Sequence, residues 1–369
     1  MSLPSDQLAR ALELRDLSDP AAGPHAMQEI VATIASALAT AWAVPVRVAR
    51  CQRVVTVHDN YDALRYSPDA AARDRRYTRY LGDGRMLRAH TTAHIPGLLR
   101  EISAETVLCV PGVCYRRDVI DRHHVGEPHQ LDLWRVRPDG APLGEADLVE
   151  MIGVVVRSVL PACAIDTPPS PHPYTMDGRE IYVDGVEVGE CGLAHPEVLA
   201  AAGLPRTASG LAMGLGLDRL TMLAKGMDDI RLLRSTDPRV AAQMTDLRPY
   251  RSVSSMPPIR RDLSIAADAD LTPELVGDRV RAVLGPDADA VEEIAVLSET
   301  PYEDLPAAAR ERLGVRRGQK NLLVRLVVRD HERTMTAADA NRLRDRVYAA
   351  LHQGTAHQWA TGDLGPEWA

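Results

Sequence analysis

The stretch SGLAMGLGLDRLTMLAKGMDDIR, Ser209–Arg231, places a cation at the start of a helix. An apolar helical pattern ends at Gly226 and is preceded by three glycines, Gly210, Gly214 and Gly216. Arg219 therefore falls in the first helical turn, where the helix dipole favours anions and disfavours a cation by up to about 1 kcal/mol. We expect a negatively charged ligand or partner to hold Arg219 there.

The composition is typical of a globular protein with more than one domain. The chain has 369 residues, of which 45% are hydrophobic and 25% are charged. Its 43 basic and 51 acidic residues give a formal net charge of -8, so no global positive field attracts nucleic acid. Any contact with RNA must therefore be local.

Cysteine usage and hydropathy indicate a cytoplasmic protein. The five cysteines form no CxxC pair, which argues against a disulfide framework and against a structural zinc site. We find no apolar run long enough for a membrane span and no signal peptide pattern. The chain also contains no phenylalanine.

The order of helical and strand patterns predicts an α+β fold in the first two thirds of the chain. Residues 1–22 read as an appended segment, and residues 23–245 as one domain. Apolar residues recur at helical spacing from His25 to Ala41, and strand patterns follow on both sides of a second helix at residues 145–160. This order predicts an antiparallel sheet flanked by helices.

A second unit is expected after a polar, proline-rich linker at residues 246–257. Residues 258–360 show the order strand, helix, strand, strand, helix and a last short strand. That β-α-β-β-α-β order predicts a ferredoxin-like domain.

Three separate segments carry residues suited to one polar pocket. Strand-like patterns place Arg116 with Asp118 on one face, and Gln130 with Asp132 on one face of the returning strand. A third strand contributes Glu187, next to glycines that let a ligand approach the backbone. Together with Arg219, these side chains could line one site.

These segments resemble the signature motifs of class II aminoacyl-tRNA synthetases, with spacing nearest to phenylalanyl-tRNA synthetase. YRRDVIDRHHVGEPHQLD (115–132) is similar to that family's YRxDxxDATHxxxFHQxE, and ECGLAHPEVLAAAG (190–203) to its GCGMVHPNVLRAAG. SGLAMGLGLDRLTML (209–223) is similar to SGFAFGMGIDRLAML, and LRAHTTAH (87–94) to LRTHTSPV. DNYDALRYSPDAAARD (59–74) and GMDDIRLLRSTDPR (226–239) match further motifs in the same order.

The resemblance extends over about residues 25–355. Residues 257–268 with residues 332–347 resemble the ferredoxin-fold anticodon-binding domain of the family, so the layout is similar to that of the single-chain organellar enzyme. We interpret the chain as a divergent paralogue. The helix from His25 and the strand after Pro45 resemble the segment that forms class II dimers, which allows a homodimer.

The resemblance implies a role for each matching residue. Arg116 would contact the α-phosphate of ATP and Arg219 the γ-phosphate, with Asp118 and His124 also on the ATP side and Glu187 holding Mg²⁺. The amino-acid-binding set would comprise His90, Thr92, Asp118, Gln130, Asp132, His172, Tyr174, Ala212 and Gly214. ATP, Mg²⁺, an amino acid or analogue and tRNA are the implied ligands.

The chain departs from the family pattern at several positions around this pocket. Pro128 replaces the loop phenylalanine, and Asp118 and Asp132 replace glutamates. The family's FPF segment corresponds to His172, Pro173 and Tyr174. We therefore expect an altered side-chain preference.

Several alternatives remain open from the residues alone. Arg219 could pair with Asp218 or Asp228, and a metal could bind the histidine cluster His123, His124 and His129. His172 and Tyr174 could be core residues, and the basic residues of the last domain could be a solvated face.

The expected function is activation of an amino acid by ATP as an adenylate, followed by transfer to an acceptor, most simply tRNA. Two alternatives remain: a ligase with a different acceptor, and a non-catalytic relative that binds tRNA or a small ligand.

Overall fold

The fold is described from a computed structural model, for residues 3–253, 257–330 and 333–357. The chain divides into two compact units. The first unit comprises residues 1–116, 127–233 and 240–250, and the second comprises residues 117–126, 234–239 and 251–369. Within the described residues, every helix is too short or too polar to cross a membrane.

The helices are α1 (Ser5–Glu13), α2 (Ala26–Trp42), α3 (Val57–Asn60), α4 (Ile95–Leu99), α5 (Glu145–Val159), α6 (Pro196–Ala201), α7 (Leu217–Ala224), α8 (Pro238–Ala241), α9 (Pro273–Leu284), α10 (Ala307–Leu313) and α11 (Ala337–Leu351). The strands are β1 (Val46–Val48), β2 (Val54–Thr56), β3 (Tyr80–Gly82), β4 (Arg85–Leu87), β5 (Thr106–Val113), β6 (His129–Arg137), β7 (Ile165–Asp166), β8 (Thr175–Val183), β9 (Val186–Ala194), β10 (Ser209–Gly216), β11 (Ile259–Asp268), β12 (Val291–Pro301) and β13 (Gln319–Val328).

A seven-stranded sheet forms the centre of the first unit, in the order β1-β5-β6-β10-β9-β8-β7. All neighbouring strands are antiparallel except β1 and β5, which are parallel. The α+β prediction of a large sheet flanked by helices is confirmed. A smaller sheet in the same unit has the order β2-β4-β3.

The two faces of the large sheet carry different side chains because β10 alternates large and small residues. Leu211, Met213 and Leu215 enter the core formed with α2, α5 and α7. Ala212 faces the opposite core, which includes Trp134 and residues of α4 and α6. Since side chains of a strand alternate between faces, Gly214 also points to this second face and leaves space above it.

The N-terminal segment contacts the strands of the first unit. The Ala11 carbonyl accepts a hydrogen bond from the Tyr115 hydroxyl at 2.7 Å, and Asp16 Oδ2 accepts one from the Val113 amide at 3.2 Å. The Leu17 amide donates to His129 Nε2 at 2.9 Å. The appended segment of the sequence is therefore part of the packed first unit.

The second unit contains a three-stranded antiparallel sheet in the order β11-β13-β12. Its core joins the inner faces of these strands to α9 and α11. The predicted last strand falls after residue 351, where residues 352–357 form no strand and residues 358–369 lie outside the described residues.

Candidate functional site

The floor of the candidate site is a row of three residues on neighbouring strands. Gly214 of β10 is directly opposite Asp132 of β6 on one side and Glu190 of β9 on the other. Opposed residues of antiparallel strands point to the same face, so two carboxylates flank a position without a side chain. A Cβ added at Gly214 would lie 3.7 Å from Glu190 Cγ and 3.9 Å from its Oε1.

Asp132 is a buried carboxyl group with one unsatisfied oxygen. Its Oδ1 accepts a hydrogen bond from Trp134 Nε1 at 2.9 Å, whereas Oδ2 is buried and has no hydrogen-bond partner within the described ranges. Burial raises the pKa of Asp132 to about 7, against the lowering effects of Thr92 and Trp134 and with a smaller contribution from the charge of Glu190. This carboxyl group can therefore accept a cationic donor near neutral pH.

Glu190 is a functional candidate that sequence reasoning missed. The Tyr174 hydroxyl donates to its Oε1, and His172 Nε2 lies 2.6 Å from its Oε2. Burial favours a raised pKa for Glu190, but the bonds and charge supplied by His172 and Tyr174 outweigh it and lower the pKa. Glu190 is therefore held as an anion. The motif at residues 190–203 could have revealed it, because the family pattern has glycine where this chain has Glu190.

Aromatic rings line the same pocket. Tyr66 stacks on His90, with ring centroids 5.7 Å apart and an interplanar angle of 21°. Tyr174 lies 6.4 Å from Tyr66 and stacks on Trp134 at 6.2 Å. Sequence reasoning included His90 and Tyr174 but missed Tyr66, which lies in irregular backbone where no local pattern marks it as a wall residue.

His90 and Arg116 lie close enough for the charge of Arg116 to act on the His90 ring. Burial lowers the pKa of His90 to about 4, and the nearby Arg116 guanidinium contributes to the lowering against the carboxylate of Glu190. His90 Nε2 lies 3.4 Å from the Asn60 amide nitrogen. His90 is therefore neutral at pH 7 and can take part in the pocket as a hydrogen-bonding group.

The predicted residues Thr92 and Gln130 also lie beside this pocket. Thr92 is buried in the turn before α4 and is close enough to Asp132 to affect its pKa. Gln130 Oε1 faces the Thr91 amide at 3.3 Å and Cys114 Sγ at 3.4 Å. These contacts fix the carboxamide oxygen of Gln130. Its amide nitrogen can therefore donate a hydrogen bond to a ligand.

Arg219 and Glu187 form the second part of the candidate site. Arg219 Nη1 donates to Glu187 Oε2 at 2.8 Å and to the Glu187 backbone carbonyl at 2.9 Å. The Glu187 side chain is 44% exposed, whereas that of Arg219 is 15% exposed. Arg219 lies in the first turn of α7, as predicted, and its ion pair reaches β9.

The segment after β5 differs from its prediction. The strand ends at Val113, so Arg116 and Asp118 follow it in irregular backbone and do not share a strand face. Arg116 lies in the first unit, whereas Asp118 and His124 lie in the second unit. There the Asp118 carbonyl accepts from Arg281 Nη1 at 2.5 Å, and His124 Nδ1 contacts Asp121 Oδ2 at 2.7 Å. Their roles toward ATP stay predictions.

The three histidines considered as a metal cluster are separated by this division. His129 is buried in β6 of the first unit, where its ring contacts the Leu17 amide and lies 3.5 Å from Asp218 Oδ1. His123 and His124 belong to the second unit. In the part of the chain that the structure describes, no group of three or more His, Cys, Asp or Glu side chains is arranged to hold a metal ion.

Comparison with known proteins links this sheet to one enzyme family. Residues 16–244 match the family model of the tRNA synthetases class II core domain (F). The chain is 33% identical over 201 residues to the phenylalanine--tRNA ligase alpha subunit of Acaryochloris marina, covering 53% of this chain and 60% of that protein. The match thus spans about three fifths of that relative's length.

A second relative is matched over more of this chain. The probable mitochondrial phenylalanine--tRNA ligase of Drosophila melanogaster is 27% identical over 358 residues, covering 80% of this chain and 75% of that protein. Among solved structures, the pyrrolysyl-tRNA synthetase of Desulfitobacterium hafniense matches with a TM-score of 0.47 and 18% identity, covering 67% of this chain and 83% of that chain.

Proposed function

The chain belongs to the class II tRNA synthetase family, and we propose that it activates an amino acid with ATP and transfers the aminoacyl group to tRNA. The proposal is supported by two sets of polar residues that lie on the same sheet. The polar pocket lies across β6, β10 and β9, and the Arg219–Glu187 pair joins β9 to the helix that follows β10.

In the first step, a carboxylate oxygen of the amino acid attacks the α-phosphorus of ATP, and the bond to pyrophosphate breaks. Arg116 stabilises the charge that develops on the α-phosphate, and Arg219 neutralises the γ-phosphate of the leaving pyrophosphate. In the second step, a hydroxyl group of the acceptor attacks the acyl carbon, and AMP leaves. No covalent bond to the protein is required in either step.

Asp132, Gln130 and His90 orient the amino acid in this proposal. The buried, unsatisfied Oδ2 of Asp132 receives the ammonium group of the substrate. The ammonium stabilises the ionised carboxylate, which the burial of Asp132 otherwise disfavours. Neutral His90 adds a hydrogen bond without repelling the ammonium.

The exposed carboxylate of Glu187 suits a magnesium ion. Mg²⁺ prefers oxygen ligands and is commonly held by one or two carboxylates together with substrate phosphates and water. Glu187 offers a 44% exposed carboxylate beside the arginine assigned to the γ-phosphate. When bound, the ion would neutralise charge on the phosphates.

We assign residues 258–360, whose described part belongs to the second unit, to a ferredoxin-like domain that binds the anticodon end of tRNA. The pairing β11-β13-β12, with a helix after the first and third strands, supports this assignment. Carboxylates pair with its basic residues Arg342, Arg344 and Arg346, so their charge is partly neutralised. We therefore propose that the RNA contacts of this domain are local.

A homodimer that uses α2 and β1 is also proposed. β1 is an edge strand of the large sheet, and Val48 at its end is 40% exposed. An exposed edge with apolar residues is suited to pairing with a second copy. A cytoplasmic location agrees with the five free cysteines.

Exchange of labelled pyrophosphate into ATP tests the activation step. The full chain is assayed with a panel of natural and modified amino acids, and exchange with at least one of them is expected. Absence of exchange across the panel would refute amino-acid activation. Charging of total tRNA with the active amino acid then tests the acceptor, and activation without charging would point to another acceptor.

A further inference from the structure

The strongest unassigned feature of the pocket is Glu190, an anion where the related motif has glycine. It lies beside Gly214 on β9, and its carboxyl oxygens are fixed by Tyr174 and His172. Each carboxylate oxygen has two acceptor positions, so both oxygens can accept a further bond. The Glu190 side chain is 38% exposed, which keeps it accessible to a ligand.

We propose that Glu190 determines the substrate, by selecting an aromatic amino acid whose ring carries an N–H or O–H donor. This inference rests on the proposed activation of an amino acid in the same pocket. The donor would bond to the Glu190 carboxylate, while the ammonium group is held by Asp132.

The spacing of the two carboxylates supports this orientation. Asp132 and Glu190 are separated by one strand, so their backbones lie about 10 Å apart at the usual strand spacing. The only side chain between them in this row is the hydrogen of Gly214. A substrate can therefore lie across the strand with its ammonium group at one carboxylate and its side chain directed to the other.

The walls of the pocket favour a planar ring. Tyr66 stacks on His90 beside this row, and the Tyr174 ring lies next to Tyr66, in front of the fully buried Trp134. Offset stacking against such rings contributes about 0.5–1.5 kcal/mol beyond area burial. These walls account for an aromatic preference, and Glu190 accounts for the polar substituent.

A ring without a donor is disfavoured because it would cover the Glu190 carboxylate and displace its water without supplying a hydrogen bond in return. Leaving a buried acceptor unsatisfied is costly, and sites built to bond a substrate donor reject analogues that lack it by as much as 10⁴–10⁵-fold. The His172 contact limits this effect, since it already satisfies part of the Glu190 carboxylate. We therefore expect a preference of about 10²-fold in kcat/KM.

The test compares tyrosine, 4-aminophenylalanine and phenylalanine in pyrophosphate exchange, using the full chain. The wild type should favour at least one donor-bearing ring by about 10²-fold over phenylalanine. Glu190→Gly, which introduces the residue of the related motif, should remove most of this preference. Glu190→Gln keeps the size of the side chain and an acceptor but loses the charge, so it should retain part of the preference.

The control measurement is the KM for ATP, which should change less than twofold in both variants if they fold as the wild type does. Equal or better activation of phenylalanine by the wild type would overturn the role of Glu190 while leaving amino-acid activation intact. A preference that survives in Glu190→Gly would also overturn it. No exchange with any amino acid would instead refute the proposed function.

Discussion

One nitrogen of Arg219 is bonded twice to Glu187, through the carboxylate at 2.8 Å and the backbone carbonyl at 2.9 Å. These bonds explain how a cation is tolerated in the first turn of α7, where the helix dipole disfavours it. They also fix the guanidinium beside a half-exposed carboxylate. A group held in this way is preorganised for an anion, since little side-chain freedom remains to be lost on binding.

Replacement of Arg219 by alanine should therefore reduce activity far more than stability. We expect kcat for pyrophosphate exchange to fall by about 10²–10³-fold, because the variant lacks the preorganised guanidinium that stabilises the negative charge developing on the phosphate. Arg219→Lys should recover only part of the rate, since lysine lacks the planar fork of donors. Arg157→Ala, on the exposed face of α5, is the matched control and should leave the rate unchanged. Equal losses in the two alanine variants would contradict the assignment.

The pH dependence of amino-acid binding should follow the ionisation of Asp132. Its pKa is raised to about 7, chiefly by burial, so the ionised form that binds an ammonium group is lost as the pH falls below 7. We expect the KM for the amino acid to rise by roughly five- to tenfold from pH 7 to pH 6. Asp132→Asn, which keeps an acceptor for Trp134, should show a high KM with little dependence on pH.

His172 requires a separate control because its pKa is raised and it bonds to Glu190 in the same pocket. Burial would lower its pKa, but the bond and charge of Glu190 outweigh burial and raise it. If Asp132 controls binding, the pH dependence persists in His172→Gln and disappears in Asp132→Asn. The opposite result would assign the dependence to His172.

Asp132 should also affect the pH dependence of stability. Its pKa is higher in the folded protein than the ordinary value of 3.8, so the folded state binds more protons between about pH 4 and 7. The contribution of Asp132 to stability consequently falls as the pH rises through this window. Because the lowered pKa of His90 has the opposite effect between about pH 4 and 6.5, the measurement must be a difference. The free energy of unfolding of Asp132→Asn should increase relative to wild type from pH 4 to pH 7, as measured by urea denaturation.

The large elements of the fold could be predicted because their signals are local. The helical spacing from His25 predicts α2, and the structure extends it from Ala26 to Trp42. The DG pair between β8 and β9 predicts a tight hairpin, and Asp184 and Gly185 both have positive φ, at 50° and 82°. Turn chemistry and apolar periodicity are properties of short segments, so the sequence alone indicates them.

The composition of the pocket could be predicted only in part because it depends on register between distant strands. Glu190 faces the pocket because β9 pairs with β10 so that Glu190 is opposite Gly214. A shift of one residue would point it to the other face of the sheet. The end of β5 at Val113 was missed for a related reason: the apolar pattern continues to Ile120, while the backbone leaves the sheet earlier.

Lys225 should hold the backbone of residues 246–248 in position. Lys225 is 1% exposed, and its Nζ donates to the carbonyls of Asp246 and Arg248, each at 2.8 Å. Lys225→Met should lower the free energy of unfolding by about 1–3 kcal/mol, because two carbonyl groups lose a charged donor. Arg248→Ala is the control: Lys225 contacts its backbone carbonyl, and its 85% exposed side chain makes a surface ion pair with Asp246 that contributes little to stability. Similar thermal midpoints for both variants would contradict this role.

Two glycines of the site should respond to alanine in opposite ways. A Cβ at Gly189 would lie 2.1 Å from the Gly214 carbonyl oxygen, a distance that forces the backbones of β9 and β10 apart. Gly189→Ala should therefore lower the thermal midpoint by roughly 5 °C, the effect of overpacking a sheet.

At Gly214 the nearest atom to an added Cβ is Glu190 Cγ at 3.7 Å, so the fold accepts a methyl group there. Gly214→Ala should keep the wild-type midpoint but raise the KM for the amino acid, because the methyl group occupies the space between Asp132 and Glu190. Differential scanning fluorimetry and exchange kinetics on the same preparations separate the two effects. A Gly214→Ala protein with unchanged KM would show that the substrate does not cross this strand.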